Sequence, residues 1–552
     1  MYIWCLLLFS GVSAQAPVSE TIHANSIEAK VWSNGALFGY NNERAFKIPT
    51  SEEDATLMSV FRRVAPWMSG YDPYGNLKRA GGALTGTDSD FQPGVINVDG
   101  LNQIWKVTKA DILAHRADFA DNGIIDNPID AITQWPTALF TSGFSNPNVL
   151  GAPFFDQNGN DVYDPMLGEF PYPNIGMGYF MPGIPDETLF FAFNDNGTHE
   201  VFQAGKMNMQ VFCTVWAYSC PEEPAFNNSI FVTLEYAHMQ DALDSLYLGL
   251  GMYFEIGKGK DDYIGSMPQE DIFYSYNGDS VDENGFENTP PVVGVFRIGG
   301  TDAYWDWPSV DGEKHFMRVH LHSDNELPAT AFPILTTEWH GFFSGHWGDG
   351  SPLRTGNYGY HPQETSPALC CAYPGLPGDT LGWSESTAGI APGLRRAMLM
   401  YRYPRMDYDD QYRANYCFTW ARHPDSSNAV GWALDQFRTR KFIIKELTEE
   451  LSNTVSKPPC MQFNVASLAP EMAAPDIKIY PNPGSGLIRV FSPRTSFSAI
   501  RITDLSGKKM YEQADLRTSN IELDFPLPSG VYFLTVLTNT NQRHTQKIVV
   551  VR

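Results

Sequence analysis

Short runs of alternating apolar and polar residues dominate the chain, and Gly, Pro and Asn separate them. Segments 24–50 and 61–84 alternate around the turn signals Asn34-Gly35 and Asp72-Pro73-Tyr74-Gly75, which predicts two β-hairpins. Further strands are predicted at 208–219, 229–239, 291–299, 315–322, 396–404 and 412–423. The pattern indicates a mainly β protein.

Two segments follow a helical pattern instead. In 105–123, Thr108 can cap a helix, Asp111 lies three residues further on, and Gly123 can end the helix. A second helix is predicted around 428–451. We find no internal repeat and no heptads, so the predicted fold is a large β-rich body with few helices.

The C-terminal part of the chain has a different regularity. Residues 452–475 have the Pro, Ala and Ser content of a linker. Six or seven short alternating runs follow, which predicts a small Ig-like β-sandwich. The predicted organisation is a signal peptide at 1–16, a body at 17–451 with room for two subdomains, a linker at 452–475 and a β-sandwich at 476–552.

Composition and charge narrow the possible partners. The chain has 552 residues, which is too long for one hydrophobic core, and 13% of them are aromatic. Its net charge is −25, yet from Asp476 onwards ten Lys and Arg outnumber six Asp and Glu, so the preceding residues carry −29. A body this acidic will not bind nucleic acid or an anionic membrane through charge. It suits solubility, cation binding, or a basic or neutral partner.

The first residues, MYIWCLLLFSGVSAQA, contain an apolar run followed by small residues. This is the pattern of a secretory signal peptide that is cleaved near Ala16. We therefore expect an exported chain with no transmembrane segment after processing.

Six cysteines follow Cys5. An even number in an exported chain indicates disulfides, and buried thiols are the alternative. Cys213 and Cys220 flank a predicted turn and are the favoured pair. The adjacent Cys370 and Cys371 are expected to pair outward more easily than with each other.

The C-terminal segment resembles the type A C-terminal sorting domain of the type IX secretion system. The matching stretches are YPNP, DLSGKKM, PLPSGVYFLTV and the final KIVV, and they include Tyr480, Pro481, Asn482, Pro483, Asp504, Gly507, Gly530, Tyr532 and Lys547. The resemblance implies the type IX machinery as a partner, export through the periplasm, and release or display outside the cell. A C-terminal Ig-like binding module is the alternative interpretation.

The body resembles a broad set of large surface proteins carried by the same secretion system, and this resemblance implies no activity. It lies in blocks such as GTDSDFQPG, APFFDQNGNDVYDPMLGEFP, DDYIGSMPQEDIFYSYNGD and FFSGHWGDGSP. Tyr253 and Glu255 stand where paired aspartates usually precede the DDYIG block. Leu394 stands where an aspartate is usual before Arg395.

The stretch DQNGNDVYD is the clearest candidate binding site. Oxygen-bearing residues at alternate positions let a loop wrap around Ca²⁺, which prefers oxygen ligands. The predicted ligands are the side chains of Asp156, Asn158, Asn160 and Asp164 and the backbone carbonyl of Val162. Glu169 is the candidate for the bidentate carboxylate that follows such loops. A metal-free turn built on Asx side chains is the alternative.

A second acidic cluster follows further along the chain. A hairpin would bring together Asp261, Asp262, Asn277, Asp279 and Asp282, with Glu255 nearby. A second calcium site and a solvated loop are both compatible with this segment.

Evidence for catalysis is weaker. Asp195 and His199 suggest acid–base chemistry without an identifiable nucleophile, and His320 and His322 would share one face of a strand. The sequence contains no G-x-S-x-G, H-E-x-x-H, P-loop or G-x-G-x-x-G motif. Our primary hypothesis is a calcium-stabilised structural or adhesion-type protein that is secreted or displayed on the cell surface. The alternative is a secreted hydrolase, with carbohydrate as the favoured substrate, since two carboxylates suffice for that chemistry.

Overall fold

The structure is a computed structural model. It describes residues 16–551 except 50–56, 97, 99, 138–150, 159, 161, 176–182, 258–259, 284, 301–315, 319–327, 331–332, 334–335, 409, 424–429, 449–456, 462–476, 483–486, 493–495, 504–508, 514–515, 525–526 and 539–542. The predicted signal peptide lies outside the described residues apart from Ala16. The described chain forms two compact units, the first from 16–111, 134–153 and 172–463, and the second from 112–133, 154–171 and 464–551.

The elements are as follows. Strands β1 to β10 are Ser19–Ile22, Glu28–Trp32, Gly39–Tyr40, Glu43–Arg44, Phe46–Pro49, Leu57–Ser59, Phe61–Tyr71, Leu77–Gly81, Gln92–Pro93 and Ile104–Thr108. Strands β11 to β20 are Phe154–Phe155, Phe170–Pro171, Glu187–Asn194, Met209–Ala217, Ser229–His238, Leu243–Phe254, Asp262–Met267, Ile272–Asn277, Val292–Gly300 and Phe316–Arg318. Strands β21 to β29 are Arg395–Met406, Gln411–Ala421, Lys478–Tyr480, Leu487–Phe491, Phe497–Thr503, Lys509–Gln513, Asn520–Asp524, Gly530–Thr538 and Arg543–Val550. Helices α1 to α5 are Lys109–Asn122, Asp130–Thr133, Pro224–Asn227, Thr336–Phe343 and Val430–Thr448.

Two antiparallel sheets organise the first unit. The larger has the order β10-β13-β14-β15-β22-β19-β18-β17, and β9 pairs with β13. The other has the order β20-β21-β16-β7-β8, and a smaller sheet has the order β1-β2-β5-β6. The mainly β fold predicted from the sequence is confirmed.

The larger sheet is covered on both faces. All nine residues of β14 are buried. Val211, Cys213 and Val215 belong to the main core, which also contains residues of β7, β16 and β21. Trp216 belongs to a second cluster with Leu434 of α5. Because both faces of the strand are buried, β14 consists mainly of aromatic and branched residues, and few polar residues alternate with them.

Two predicted turns form through local contacts. The Asp72 carboxylate accepts hydrogen bonds from the amides of Tyr74 and Asn76, Gly75 has a φ of 80°, and β7 pairs with β8 on either side. Gly75 adopts this left-handed conformation without a Cβ penalty. At Asn34-Gly35 the turn also forms, but β2 pairs over four residues with β1, which precedes it, and over only two residues with β5, which follows the turn.

The predicted cap of the first helix is confirmed. The Thr108 amide donates to the Asp111 carboxylate, and the Asp111 amide donates to the Thr108 hydroxyl, at 3.0 and 3.2 Å. Gly123 has a φ of 79° just after the helix ends. The helix begins only at Lys109, because Ile104–Thr108 pairs with β13 as a strand.

The disulfide prediction was wrong in its pairing. Cys220 is bonded to Cys460, with Cα atoms 5.4 Å apart and a sequence separation of 240. Cys213 is a buried thiol within β14. A strand rises about 3.3 Å per residue, so Cys213 already lies about 13 Å from the strand end at Ala217 and cannot turn back to Cys220.

We expect Cys460→Ser to lower the free energy of unfolding of the first unit by up to about 5 kcal/mol. In the chain-entropy account a disulfide destabilises the unfolded chain more as the loop it closes lengthens, and this loop is long. Urea denaturation of the oxidised proteins provides the measurement. Reductant should lower the stability of the wild type and leave the variant nearly unchanged; equal sensitivity to reductant would contradict the assignment.

Helix α4 brings a histidine against the five-stranded sheet. His340 Nδ1 lies 2.8 Å from the Ser69 hydroxyl, and its ring packs edge-on against Tyr71 and Tyr247. Burial, with added repulsion from Arg79 and Arg402, lowers the pKa of His340 from 6.5 to about 4. The folded protein therefore holds this imidazole neutral where the unfolded chain would protonate it.

Stability should fall as the pH drops from 6.5 towards 4. In this window the unfolded chain binds a proton at His340 that the folded chain does not, and the effect is at most about 3 kcal/mol. His340→Phe keeps the ring contacts and cannot titrate, so its unfolding free energy should depend less on pH than that of the wild type. Ser69→Ala keeps the histidine and should retain the wild-type pH slope. Identical slopes for the wild type and His340→Phe would contradict this account.

The C-terminal strands of the second unit form two small sheets, β23-β24-β27 and β26-β25-β28-β29. Along β24, Ile488 and Val490 are buried while Leu487 and Arg489 are exposed, as the alternating sequence predicts. Residues of both sheets share one apolar core, which includes Phe497. The predicted β-sandwich is confirmed.

Candidate metal centres

The loop from Asp156 to Glu169 joins the paired strands β11 and β12 in the second unit. Asp156 Oδ1 and Asn158 Oδ1 accept hydrogen bonds from the Asn160 amide at 3.3 and 3.0 Å, and Asn160 Oδ1 accepts one from the Val162 amide at 2.8 Å. These bonds place the side-chain oxygens of Asp156, Asn158 and Asn160 against backbone amides that follow them in the loop. They also engage some of the lone pairs that a cation would use.

Glu169 closes this loop. Its side chain is fully buried, and its two carboxylate oxygens accept from the amides of Gln157 at 3.2 Å and Asp164 at 2.7 Å. Burial, together with the nearby Asp156 carboxylate, raises the pKa of Glu169 to about 7. The residue nominated from the sequence as the extra carboxylate is therefore brought into the loop beside Asp156.

The second acidic cluster lies at the open end of the hairpin formed by β17 and β18. Asp262 and Asn277 face each other across the two strands. Asp262 is fully buried, and Asn277 is 6% exposed. Asp262 Oδ2 accepts from the Ile256 amide at 3.0 Å. Within the described part of the chain, no hydrogen-bond partner reaches Asp262 Oδ1, Asn277 Oδ1 or Asp261 Oδ1, although all three atoms are buried.

A further buried carboxylate adds to this cluster. Asp282 Oδ2 accepts from the Phe286 amide at 2.7 Å. A Cβ atom on Gly257 or Gly285 would lie 1.7 or 2.0 Å from Asp282 Oδ2, so only glycine allows the backbone to approach this carboxylate. Burial, followed by the charges of Asp261 and Asp282, raises the pKa of Asp262 well above its usual range.

The other residues nominated for the second cluster lie differently. Asp279 is exposed, and its Oδ1 accepts from the Val281 amide at 2.9 Å. Glu255 forms ion pairs with Arg44 at 3.1 Å and Arg62 at 2.8 Å. The charge of Arg44 also acts on Asp262 and Asp282, so part of the negative charge of the cluster is offset by protein.

Convergence of charged ligands is rare in the described residues. At one place in the described residues, the ligand atoms of three His, Cys, Asp or Glu side chains lie within 4.8 Å of one another. These side chains are Cys220, Glu222 and Cys460. The two sulfurs there are joined in the disulfide. A cation at either acidic site would therefore need amide, carbonyl or water oxygens besides the carboxylates.

The candidate acid–base pair is part of the buried framework. Both carboxylate oxygens of Asp195 accept backbone hydrogen bonds, from Met207 and Met209, and His199 Nε2 donates to the Asp195 carbonyl at 2.8 Å. Asp90, which the sequence analysis did not single out, is also buried and accepts from the Val201 amide at 2.8 Å. The carboxylates of Asp195 and Asp90 thus stabilise the backbone of neighbouring segments through hydrogen bonds. His320 and His322 lie outside the described residues.

Several residues of the C-terminal motif form hydrogen bonds within the β-sandwich. Asn482 Nδ2 donates to the Lys547 carbonyl at 2.7 Å, and Asn482 Oδ1 accepts from the Val549 amide at 2.9 Å. The Tyr532 hydroxyl donates to the Pro528 carbonyl at 3.0 Å, and Gly530 pairs with Val550 at the start of β28. Pro483, Asp504 and Gly507 lie outside the described residues.

Comparison with known families identifies this β-sandwich. Residues 478–551 match the model of the secretion system C-terminal sorting domain. The fold and the match thus define a protein that carries a sorting domain. The match at residues 478–551 supports a cargo protein of the type IX secretion system. This implies interaction with that machinery and a destination outside the cell or on its outer surface. In the described residues, we find no helix with the length and apolarity needed to cross a membrane.

The whole chain has little similarity to curated proteins or to a polysaccharide lyase of known structure. No curated protein matches the chain. A solved structure of a polysaccharide lyase is 7% identical, and the match covers 63% of this chain and 35% of that protein, with a TM-score of 0.17. This chain thus spans about a third of the length of the lyase, and a likeness this weak bears on neither fold nor activity.

Asn482→Ala should loosen the sandwich, because the substitution leaves the Val549 amide and the Lys547 carbonyl without their side-chain partner. Both hydrogen bonds are exposed, so we expect a loss of about 0.5–1.5 kcal/mol of local stability. Amide hydrogen exchange of β29 in the full chain should then be faster. Asn482→Asp keeps the acceptor and loses the donor, so its exchange rate should be intermediate. Unchanged exchange in Asn482→Ala would contradict the role of this side chain.

Deletion of residues 476–552 is expected to leave the rest of the protein in the periplasm, because the sorting domain is the part that the secretion machinery recognises. Fractionation of cells that produce the full and truncated chains provides the measurement. Normal delivery of the truncated chain to the surface or the medium would contradict the assignment.

Proposed function

We propose that the protein is a calcium-stabilised structural or adhesion-type protein that acts after secretion or at the cell surface. The observation that carries the proposal is the set of three buried oxygen atoms of Asp261, Asp262 and Asn277 that lack hydrogen-bond partners within the described residues. Burying such atoms without a partner costs free energy. A cation bound among them would remove that cost.

The chemistry of the set favours Ca²⁺. Carboxylate and amide oxygens are hard ligands, and Ca²⁺ accepts six to eight of them in a flexible geometry, whereas Mg²⁺ requires near-octahedral coordination and retains water. The cluster combines charged oxygens with the neutral amide oxygen of Asn277. The buried carboxylate of Asp282 lies close enough to raise the pKa of Asp262. Its negative charge would further favour a cation.

The loop at Asp156 is the second proposed site. Glu169 is buried, and the nearby Asp156 carboxylate adds to the cost of ionising Glu169, a cost that a cation between the two side chains would lower. The proposed ligands are those named from the sequence, with Glu169 added. Millimolar calcium outside cells would occupy even weak sites of this kind.

A structural role agrees with how the buried acids are used. Asp195 and Asp90 accept backbone hydrogen bonds, and Glu385 is held by Arg395 at 2.9 Å. The carbohydrate-active alternative predicts release of new reducing ends from a panel of polysaccharides. We expect none.

Calcium should raise the melting temperature of the protein, and chelator should lower it. A ligand present at a hundred times its dissociation constant stabilises the folded state by about 2.7 kcal/mol. We call the acidic cluster of Asp261, Asp262, Asn277 and Asp282 the hairpin cluster. Asp262→Asn should lose the part of this stabilisation that comes from the hairpin cluster, and Asp156→Asn should lose the part that comes from the loop at Asp156. Asp379→Asn is the matched control, since Asp379 is exposed and only caps a turn through the Leu381 amide.

The hairpin cluster has an additional signature. In chelator, Asp262→Asn removes a buried, incompletely compensated charge, so this variant should melt above the wild type. In calcium the order should reverse. If calcium leaves the wild type unchanged, the metal proposal is wrong for both sites; if it stabilises the wild type and Asp262→Asn equally, the hairpin cluster is not a site.

A further inference from the structure

Two adjacent cysteines lie in direct contact in the first unit. The Sγ atoms of Cys370 and Cys371 are 2.8 Å apart. Cys371 is 4% exposed, and Cys370 is half-buried at the edge of the main core. The two sulfurs are therefore much closer to each other than neighbouring side chains of an extended chain, which point to opposite sides.

The surrounding backbone holds this arrangement from both ends. The Leu369 amide donates to the Leu353 carbonyl at 2.8 Å. On the other side, Ser266 of β17 donates from its amide to the Tyr373 carbonyl at 3.1 Å and from its hydroxyl to the Ala372 carbonyl at 2.6 Å. Tyr373 has a φ of 52°, a conformation that bulky residues rarely adopt. The chain is thus fixed in a tight bend that turns both sulfurs the same way.

We propose that Cys370 and Cys371 form a vicinal disulfide in the exported protein, an oxidation site distinct from the Cys220–Cys460 bond. The sequence analysis expected these residues to pair outward, and the fixed bend is the reason to reverse that expectation. Disulfides form and persist in the compartments through which a secreted protein passes.

The reaction is a thiol–disulfide exchange with a disulfide-bearing oxidant, such as an oxidised dithiol oxidoreductase. The thiolate of the more accessible Cys370 attacks one sulfur of the oxidant, forming a mixed disulfide and releasing the other sulfur as a thiolate. The Cys371 thiolate then attacks the Cys370 sulfur, which breaks the mixed disulfide and releases the oxidant sulfur held in it as a second thiolate. The two cysteines lose two electrons and two protons, and the oxidant leaves as a dithiol.

The other two thiols of this unit differ in position. Cys213 lies within β14 and Cys417 within β22, both fully buried, and burial raises the pKa of each thiol. Few thiolates form at these positions, and an oxidant cannot reach them. We therefore expect Cys213 and Cys417 to remain thiols, so the native protein should contain two disulfides and two thiols after the signal peptide is removed.

A disulfide between the adjacent Cys370 and Cys371 has no residues between its two cysteines, so it closes no loop of the chain. In the chain-entropy account it therefore adds little to global stability, in contrast to the Cys220–Cys460 bond. Its effect is local, since it locks the bend that anchors Ser266.

Mass spectrometry of the secreted protein tests the proposal. The protein is denatured in acid, labelled with N-ethylmaleimide and digested with trypsin without reduction. Cys370 and Cys371 fall in one tryptic peptide, because no Lys or Arg lies between Arg354 and Arg395. This peptide should carry no label and should be lighter than its reduced form by two hydrogen atoms. The peptides of Cys213 and Cys417 should carry label in the same digest.

Labelling of both cysteines without prior reduction would overturn the proposal, and so would a cross-link from either cysteine to another peptide or a small thiol. Cys371→Ser provides the matched variant, in which Cys370 should become labelled or form a mixed disulfide. If this variant does not accumulate, the wild-type peptide mass still decides the question.

Discussion

Aromatic contacts between the two large sheets hold the first unit together. Phe61 of β7 lies against Phe254 of β16 in the same sheet, with ring centroids 4.8 Å apart, and against Phe418 of β22 in the opposite sheet, at 5.9 Å. Phe38 packs edge-on against Phe418 at 4.9 Å. Offset and edge-on aromatic packing stabilises a core beyond its area burial. The two packed sheets of the first unit fix the strand ends, and the acidic cluster around Asp262 lies at one of these ends.

Burial of acidic residues is the second constraint on this fold. The structure compensates such residues in different ways. Asp195 accepts backbone hydrogen bonds, and Glu385 is paired with Arg395. Asp262 accepts one backbone hydrogen bond and is repelled by two further carboxylates, those of Asp261 and Asp282. The positive charge of Arg44 offsets part of this repulsion. The last arrangement is costly in a low-dielectric interior, which is why we connect the acidity of the body to a cation rather than to catalysis.

The C-terminal β-sandwich follows a simpler rule. Buried and exposed or half-buried positions alternate along β24, so one face of this strand fills a small shared core and the other is more exposed to solvent. The charge of the β-sandwich is also opposite in sign to that of the preceding chain. A domain with its own core and its own surface charge can serve as an address for secretion while the body evolves for another role.

Local chemistry is what the sequence by itself determined. The Asp72 turn, the Thr108–Asp111 cap, the alternation along β24 and the hydrogen-bonded turns from Asp156 to Val162 depend on residues within a few positions of one another, so their pattern predicts them. The tertiary structure alone decided the Cys220–Cys460 bond, the ion pairs of Glu255 and the burial of Asp262 against Asn277. The helix boundary at Lys109 moved because Trp105 pairs with Phe190, a contact across the sheet. These features depend on residues far apart in the chain, and no local pattern encodes which strands become neighbours.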